Sequence, residues 1–228
     1  MRPGFGQGLS FGRFTDALSP ARVAGYRTAM DEAPRAVVAR YRWNLALCAA
    51  SLPALNYLEV TLRNSLHRSL SAHCNTQGWY DTPHSAFLES TAMDAVATAK
   101  SQLARDRKVP DPNRVVAELS FGFWTGLFGR AYEGRIWPRL LRGVLPHMPR
   151  TVRVRSHAAS RFHDLRHLRN RISHHEPIWK FRDLGRRYDA IVETIGWLEP
   201  ALTSLIPDDF HRILRSGPQA YEVPVENP

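Results

Sequence analysis

The chain has 228 residues, 43% of them hydrophobic and 10% aromatic, which is enough to bury a full-sized core and excludes a mostly disordered protein. Its formal net charge of +10 favours a polyanionic partner, although a merely solvated basic surface would carry the same charge. The longest uncharged run, residues 43–58, is too short and too polar for a membrane span, so we expect no membrane contact. No signal peptide precedes Cys48 and Cys74, and we therefore expect a cytosolic protein without disulfides.

Helix signals recur along the chain. Ser19-Pro20 and Asp111-Pro112 each put a capping side chain before a proline at the first helical position. Apolar residues at spacings of three and four, the period of one helix face, form three stripes. They are Leu55, Leu58, Leu62, Leu66 and Leu70; Ala158, Phe162, Leu165, Leu168 and Ile172; and Leu184, Tyr188, Ile191, Ile195, Leu198, Leu202 and Leu205. We predict helices over residues 20–30, 33–51, 53–73, 85–106, 112–130, 136–145, 152–175, 181–206 and 208–215.

These elements predict an all-α protein with one helical-bundle domain over residues 14–215. The strand-like alternation in residues 151–155 is too short and isolated to build a sheet. Residues 1–13 are rich in glycine, and residues 216–228 mix glycine, proline and acids without periodicity, so we expect both ends to be flexible.

Positive charge is concentrated in residues 150–187, where eleven lysines and arginines face three acidic residues. Within this region, residues 166–177 crowd arginine and histidine into one amphipathic stretch. Pro177 disfavours helical geometry at the residue before it, which places His174 and His175 in the last turn of the predicted helix.

Arg169 and His174 are five residues apart, which on an ideal helix separates them by about 140°. At that offset an arginine and an imidazole can grip opposite sides of one phosphate. RNA is the matching target, because its 2′-hydroxyl is an internal nucleophile, and cleavage needs only a base, an acid and a cation for the charged phosphorane. Histidine and arginine supply these functions, so we predict RNA cleavage without a metal ion or cofactor. The basic residues nearby, expected to bind RNA, are Arg166, Arg171 and Lys180.

These residues also carry a resemblance. Arg169-Asn170 followed by His174 resembles the R-x4-6-H motif of HEPN-domain ribonucleases. The longer phrase RNRISHHEPIW, with EVTLRNSLHRSL at residues 59–70 and LSFGFWTGLF at residues 119–128, resembles the Abi-like (abortive infection) family of bacterial phage-defence and toxin proteins. The three blocks stand in family order and span most of residues 40–185.

The resemblance implies a helical bundle of HEPN type, metal-independent endoribonuclease activity, and a homodimer in which two copies of the motif form one composite cleft. It implies that Arg169 contacts the scissile phosphate, that Asn170 orients it, and that His174 is the acid or base, with His175 in support. A toxin of this kind would also need a restraint, such as an antitoxin or a phage-derived trigger.

Two interpretations of the block at residues 59–70 remain open. Glu59 and Arg63 are an i,i+4 pair, which on a helix surface contributes only about 0.3–0.5 kcal/mol. Alternatively, Glu59, Arg63 and Asn64 face the motif helix and hold Arg169 or His174 in place.

Other sites fit the sequence less well. His163 and His167 have a zinc-chelating spacing, but no HExxH motif or nearby cysteine completes a ligand set, and the arginines repel a divalent cation. Ser160 and Ser173 lack the glycine frame of a nucleophile elbow. Trp124 could stack on a base, although the aromatic block that contains it is more typical of a core or a dimer seam.

The main alternative function is a non-catalytic RNA- or nucleotide-binding helical module, and a further one is an antitoxin-partnered scaffold. A phosphate-binding surface needs arginines but not the histidine at 174, which favours the enzyme.

Overall fold

The computed structural model describes residues 9–226, except for the side chain of Leu9. Among these residues 69% are in helices and almost none are in strands, so the predicted all-α class is confirmed. Most of the segment 1–13 and the last two residues of the segment 216–228 lie outside the described residues, and so does the expectation of flexibility there.

Ten α-helices occupy the described part of the chain. They are α1 (Phe11–Leu18), α2 (Pro20–Ala24), α3 (Pro34–Cys74), α4 (Ser90–Arg105), α5 (Pro112–Glu118), α6 (Phe121–Gly126), α7 (Trp137–Val144), α8 (Arg155–Ser173), α9 (Leu184–Leu198) and α10 (Phe210–Ser216). Two-residue strands β1 (Leu9–Ser10) and β2 (Val225–Glu226) pair in parallel. Short 3₁₀ turns lie at His84–Phe87, Arg130–Tyr132, Pro200–Leu205 and Pro218–Tyr221.

The described residues pack as two compact units that interleave along the sequence, where the sequence predicts one domain over residues 14–215. The first unit comprises residues 9–52, 171–185 and 207–226. The second comprises Pro53–Asn170 and Arg186–Ile206. Helices α3, α8 and α9 each contribute residues to both units.

The predicted helix starts at Pro20 and Pro112 are confirmed. The Ser19 hydroxyl accepts the Arg22 N–H at 3.4 Å, and the Asp111 carboxylate accepts the Arg114 N–H at 3.1 Å. Each cap satisfies a backbone donor that has no partner within its helix, which typically stabilises the helix by about 0.5–2 kcal/mol.

Helix α3 continues through Pro53, so the predicted break after residue 51 is wrong. Proline has no N–H for the helical ladder and costs about 3 kcal/mol in a helix interior. Leu47 before it and Leu58 after it are fully buried, and burying such a side chain contributes about 1.5–3 kcal/mol each. Burial on both sides of the proline therefore offsets the lost hydrogen bond.

By length and composition, α3 could cross a membrane: its most apolar window has a mean hydropathy of 1.4, and 39% of that window is buried. The central helix of a folded globule meets the same criterion. The apolar stripe of α3 is buried in the second unit, and for this reason we treat α3 as a core helix.

The first unit has its own apolar core. Buried residues of this core are Phe11, Val23, Tyr26, Val37 and Val38. Phe11 lies in α1, a helix that the sequence pattern does not predict, and Val225 of β2 packs on the same core. Nearby, Arg40 and Glu32 form a mostly buried ion pair of 2.6 Å. The hydrogen bonds from Arg40 to the Glu32 carboxylate lower the pKa of Glu32 to about 2.

Burial confirms the predicted apolar stripes as helix faces; most of their residues belong to the second unit, while Ile172 and Leu184 belong to the first. All five leucines from Leu55 to Leu70 are at most 6% exposed, and the α8 stripe from Ala158 to Ile172 is buried throughout. The third stripe is buried up to Leu198, where Glu199-Pro200 begins a 3₁₀ turn and leaves Leu205 58% exposed. The aromatic block is also buried, as a core role predicts, in Phe121, Phe123, Trp124 and Phe128.

Candidate functional site

Arg169 lies on α8 in the second unit, and its guanidinium faces the Glu59 carboxylate of α3. Arg169 Nε donates to Glu59 Oε2 at 3.3 Å, and Nη2 reaches Oε1 at 3.4 Å and Oε2 at 3.3 Å. Strong charge-assisted bonds are shorter, about 2.7–2.9 Å. Since 32% of the Arg169 side chain and 30% of the Glu59 side chain stay exposed, the guanidinium is oriented but still open to a second anion.

Arg63 and Asn64, the other residues of the 59–70 block that the sequence predicts to support the site, do not bond to this pair. Glu59 binds Arg169 rather than Arg63, so of the two open interpretations the i,i+4 surface pair does not form. Arg63 is half-buried and Asn64 is exposed, and neither side chain has a hydrogen bond or ion pair within residues 9–226. Asn170 is exposed beside Arg169.

Helix α8 ends at Ser173, two residues earlier than predicted. Two backbone hydrogen bonds close its end: the Glu176 N–H donates to the Arg171 carbonyl at 2.8 Å, and the His175 N–H donates to the Ile172 carbonyl at 3.1 Å. This pair of bonds is the Schellman motif, which satisfies carbonyls that have lost their helical partners.

The predicted placement of His174 and His175 in the last helical turn is therefore wrong. His174 is the first residue beyond the helix, and His175 takes the left-handed position of the motif with φ of 57°. Glycine usually fills that position, because a side chain there costs roughly 1 kcal/mol or more. Both histidines are exposed, so their imidazoles are open to solvent and to ligands.

Two arginines fasten the turn after α8 within the first unit. Arg22 Nη1 donates to the His175 carbonyl at 2.6 Å. Arg171 Nη2 donates to the Pro177 carbonyl at 2.9 Å, and Arg171 Nη1 lies 3.5 Å from the Glu176 carboxylate. Arg171, which the sequence predicts as an RNA-binding residue, thus has intramolecular partners that fix the backbone around the histidines.

A buried asparagine that the sequence reasoning missed anchors the next residues. Asn44 is 1% exposed, and its Oδ1 accepts the N–H groups of Ile178 at 2.8 Å and Trp179 at 3.2 Å. Its Nδ2 donates to the Tyr26 hydroxyl at 3.1 Å. The sequence signal for Asn44 is a side-chain amide within an otherwise apolar run. An amide buried in such a run needs hydrogen-bond partners, and backbone groups of another segment can supply them. Arg22 gives no comparable signal.

No protein-family model, curated protein or solved structure matches the chain. What the protein does must therefore follow from its own residues and contacts.

Of the remaining residues predicted to bind RNA, Lys180 is exposed in the first unit, with its ammonium 5.7 Å from the centre of the Trp179 ring. Arg166 is half-buried on α8 in the second unit, where it lines a cleft together with Arg130 and His163. Arg166 and Arg169 are neighbours on the surface of α8, since residues three apart lie on the same face of a helix.

The rival sites gain little from the geometry. The Trp124 ring is fully buried and its Nε1 donates to the Leu119 carbonyl at 3.2 Å, so it cannot stack on a base. Within residues 9–226, His163 and His167 belong to no group of three His, Cys, Asp or Glu side chains that could hold a metal ion. Ser160 and Ser173 are exposed, and in the same part of the chain neither side chain makes a hydrogen bond that would activate it.

Proposed function

We propose that the chain is a metal-independent endoribonuclease of the abortive-infection or toxin type, a HEPN-type helical protein of the cytosol in which Arg169 and His174 act on RNA. The reaction is a transesterification. The 2′-oxygen forms a bond to phosphorus, the bond from phosphorus to the 5′-oxygen breaks, and one proton leaves the 2′-hydroxyl while another reaches the departing oxygen. The products are a 2′,3′-cyclic phosphate and a 5′-hydroxyl.

The observation that carries this proposal is the contact between Glu59 and Arg169. A carboxylate orients the guanidinium, yet about a third of the Arg169 side chain stays exposed. Such a preorganised cation can bind a phosphate and stabilise the charge that develops on the phosphorane, an effect typically worth about 10²–10³-fold in rate. Asn170, exposed beside it, can donate its amide to the same phosphate.

His174 supplies proton transfer in this proposal. Its imidazole is exposed, and the Schellman bonds next to it fix the backbone without involving the ring. Histidine is the usual proton-transfer group near neutral pH, and a positioned one typically contributes about 10²–10⁴-fold. Because cleavage needs both an acid and a base, we propose that a second copy of the chain supplies the other histidine in a homodimer.

The experiment uses a pool of 12-nucleotide RNAs that carry a fluorophore and a quencher, incubated with purified protein in excess EDTA. Wild type should raise the fluorescence, whereas Arg169→Ala and His174→Ala should lower the rate at least 100-fold with unchanged circular dichroism. The matched DNA pool, which lacks the 2′-hydroxyl, should stay intact.

Cleavage of DNA as well as RNA, or full activity in His174→Ala, would contradict the proposal. RNA binding without cleavage by wild type would instead support the non-catalytic RNA- or nucleotide-binding module. If wild type cuts RNA only after an antitoxin is removed or a phage protein is added, that result would support the toxin interpretation and identify what restrains the activity.

A further inference from the structure

The second unit contains a cleft of about 460 Å³ between the end of α6 and one face of α8. The α8 face contributes Arg155, His163 and Arg166, and the loop after α6 contributes Arg130. Among the residues that line the cleft none is acidic, so the cleft is strongly basic.

The three arginines of the cleft differ in their partners. Arg155 is fixed: its Nη1 donates to the Phe128 carbonyl at 2.8 Å, its Nε lies 3.2 Å from the Glu133 carboxylate, and only 13% of its side chain is exposed. Arg130 and Arg166 make no side-chain hydrogen bond or ion pair within residues 9–226. Two guanidinium groups that line one cleft, each without a carboxylate partner, make the cleft attractive to an anion.

The anion that best matches two arginines is a phosphate, because the planar fork of a guanidinium donates two parallel hydrogen bonds to its oxygens. A second cleft of about 430 Å³ shares Gly126, Gly129 and Arg130 with the basic one. Its walls include the apolar side chains Ala95 and Leu127, and also Glu89, whose carboxylate forms an ion pair with Arg135 at 2.6 Å. A basic cleft beside a partly apolar one matches a nucleotide, whose phosphate is anionic and whose base has two apolar faces.

We propose that the basic cleft binds a backbone phosphate of an RNA strand, as a subsite separate from Arg169. The proposal rests on the proposed function only in its choice of RNA as the polymer. Arg166 connects the basic cleft to the Arg169 site, because it lines the cleft and lies one helical turn from Arg169 on α8. A strand held in the cleft would therefore continue towards Arg169.

The test measures binding of a fluorescein-labelled 12-nucleotide RNA by anisotropy, with the full chain carrying His174→Ala so that the RNA stays intact. The double variant Arg130→Ala/Arg166→Ala should weaken binding at least tenfold. The slope of log Kd against log salt should fall by roughly 0.7 for each phosphate that the variant no longer neutralises. The control Arg139→Ala/Arg142→Ala removes the same charge from exposed positions of α7 that line neither cleft and should change Kd less than threefold.

A second variant leaves the arginines in place. Gly126 lines the cleft, and a Cβ added there would meet no atom within 4 Å, so Gly126→Glu adds a carboxylate without displacing a neighbour. We expect it to weaken RNA binding about as much as the double variant. Gly134→Glu is the control, because Gly134 is equally open but lines neither cleft.

The proposal would be overturned if the folded variants Gly126→Glu and Arg130→Ala/Arg166→Ala bound RNA with unchanged affinity. It would also be overturned if the chain with an unaltered cleft bound no RNA at low salt. The proposal would also be overturned if the chain bound AMP but no RNA and the cleft variants lost AMP binding. That result would indicate a mononucleotide site instead. If the cleft variants lose RNA binding but the chain with His174 intact cleaves no RNA, the cleft stands and the proposed ribonuclease function fails.

Discussion

The guanidinium of Arg169 lies 3.3 Å from the carboxylate of Glu59, a residue 110 positions earlier in the chain. The contact joins α8 to α3 within the second unit. Since both side chains are about a third exposed, the pair adds only about 0–1 kcal/mol to stability. Its main effect is on direction: it fixes where the arginine presents its remaining donors.

Replacing Glu59 by Gln should lower RNA cleavage about 10- to 100-fold, because a neutral amide no longer holds the guanidinium in place and a displaced cation stabilises the phosphorane less well. The midpoint of thermal unfolding should change little, because the ion pair is partly exposed. Single-turnover cleavage and a thermal melt measure the two effects.

The matched control is Glu193→Gln. Glu193 forms a 2.7 Å ion pair with Arg161, which lies on α8 as Arg169 does. We expect this variant to cleave RNA at the wild-type rate. Equal losses of activity in the two variants would contradict a specific role for Glu59.

His175→Gly should raise the free energy of unfolding by roughly 1 kcal/mol, because glycine adopts the left-handed conformation of His175 without steric cost. Cleavage should nevertheless fall, since a side chain kept at a strained position is more readily explained by function than by folding. Urea denaturation and the fluorogenic assay measure the two quantities. A stabilised variant with unchanged cleavage would show that only the backbone of His175 matters.

Leu168→Ala should destabilise the protein by about 2–5 kcal/mol, because this α8 side chain is 2% exposed and its loss leaves a cavity. Leu165, also 2% exposed, should behave in the same way. The control is Leu205→Ala, at a side chain that is 58% exposed, and it should cost less than about 0.5 kcal/mol. Similar unfolding free energies for the Leu168 and Leu205 variants would contradict the core assigned to α8.

The stability of the chain should fall as the pH drops below 6.5, in part through His67. Burial lowers the pKa of His67 from 6.5, and its Nδ1 accepts the Trp79 Nε1 hydrogen bond at 3.0 Å, which requires an unprotonated nitrogen. Below pH 6.5 the unfolded chain therefore binds more protons at this residue than the folded chain does, so stability is complete above 6.5 and is lost as the pH falls through the folded pKa. His67→Gln, which keeps an acceptor but does not titrate, should flatten this part of the curve of unfolding free energy against pH; parallel curves would contradict the assignment.

The helical class and the buried stripes could be predicted from the sequence because a helix face depends on residues three and four apart. The same local rules failed at Pro53, where the burial of leucines outside the proline's own turn outweighs its missing donor. They failed again at His175, because the C-terminal motif of α8 forms without the glycine that normally marks it.

The candidate site was predictable only in its local part. Arg169 and His174 belong to one short stretch of sequence, but the partner of Glu59 was undecided between Arg63 and Arg169, and only the packing of α8 against α3 decides it. The Asn44 bonds to Ile178 and Trp179 depend on residues more than 130 positions apart, which no sequence period connects.

The most direct test of the central claim is to incubate wild type and His174→Ala with total RNA in excess EDTA and to sequence libraries that capture 2′,3′-cyclic phosphate ends. New cyclic phosphate ends in the wild-type sample, absent from the His174→Ala sample, are the predicted result. Identical ends in both samples, or wild-type ends that carry 3′-hydroxyl groups, would contradict an Arg169- and His174-dependent attack by the 2′-hydroxyl.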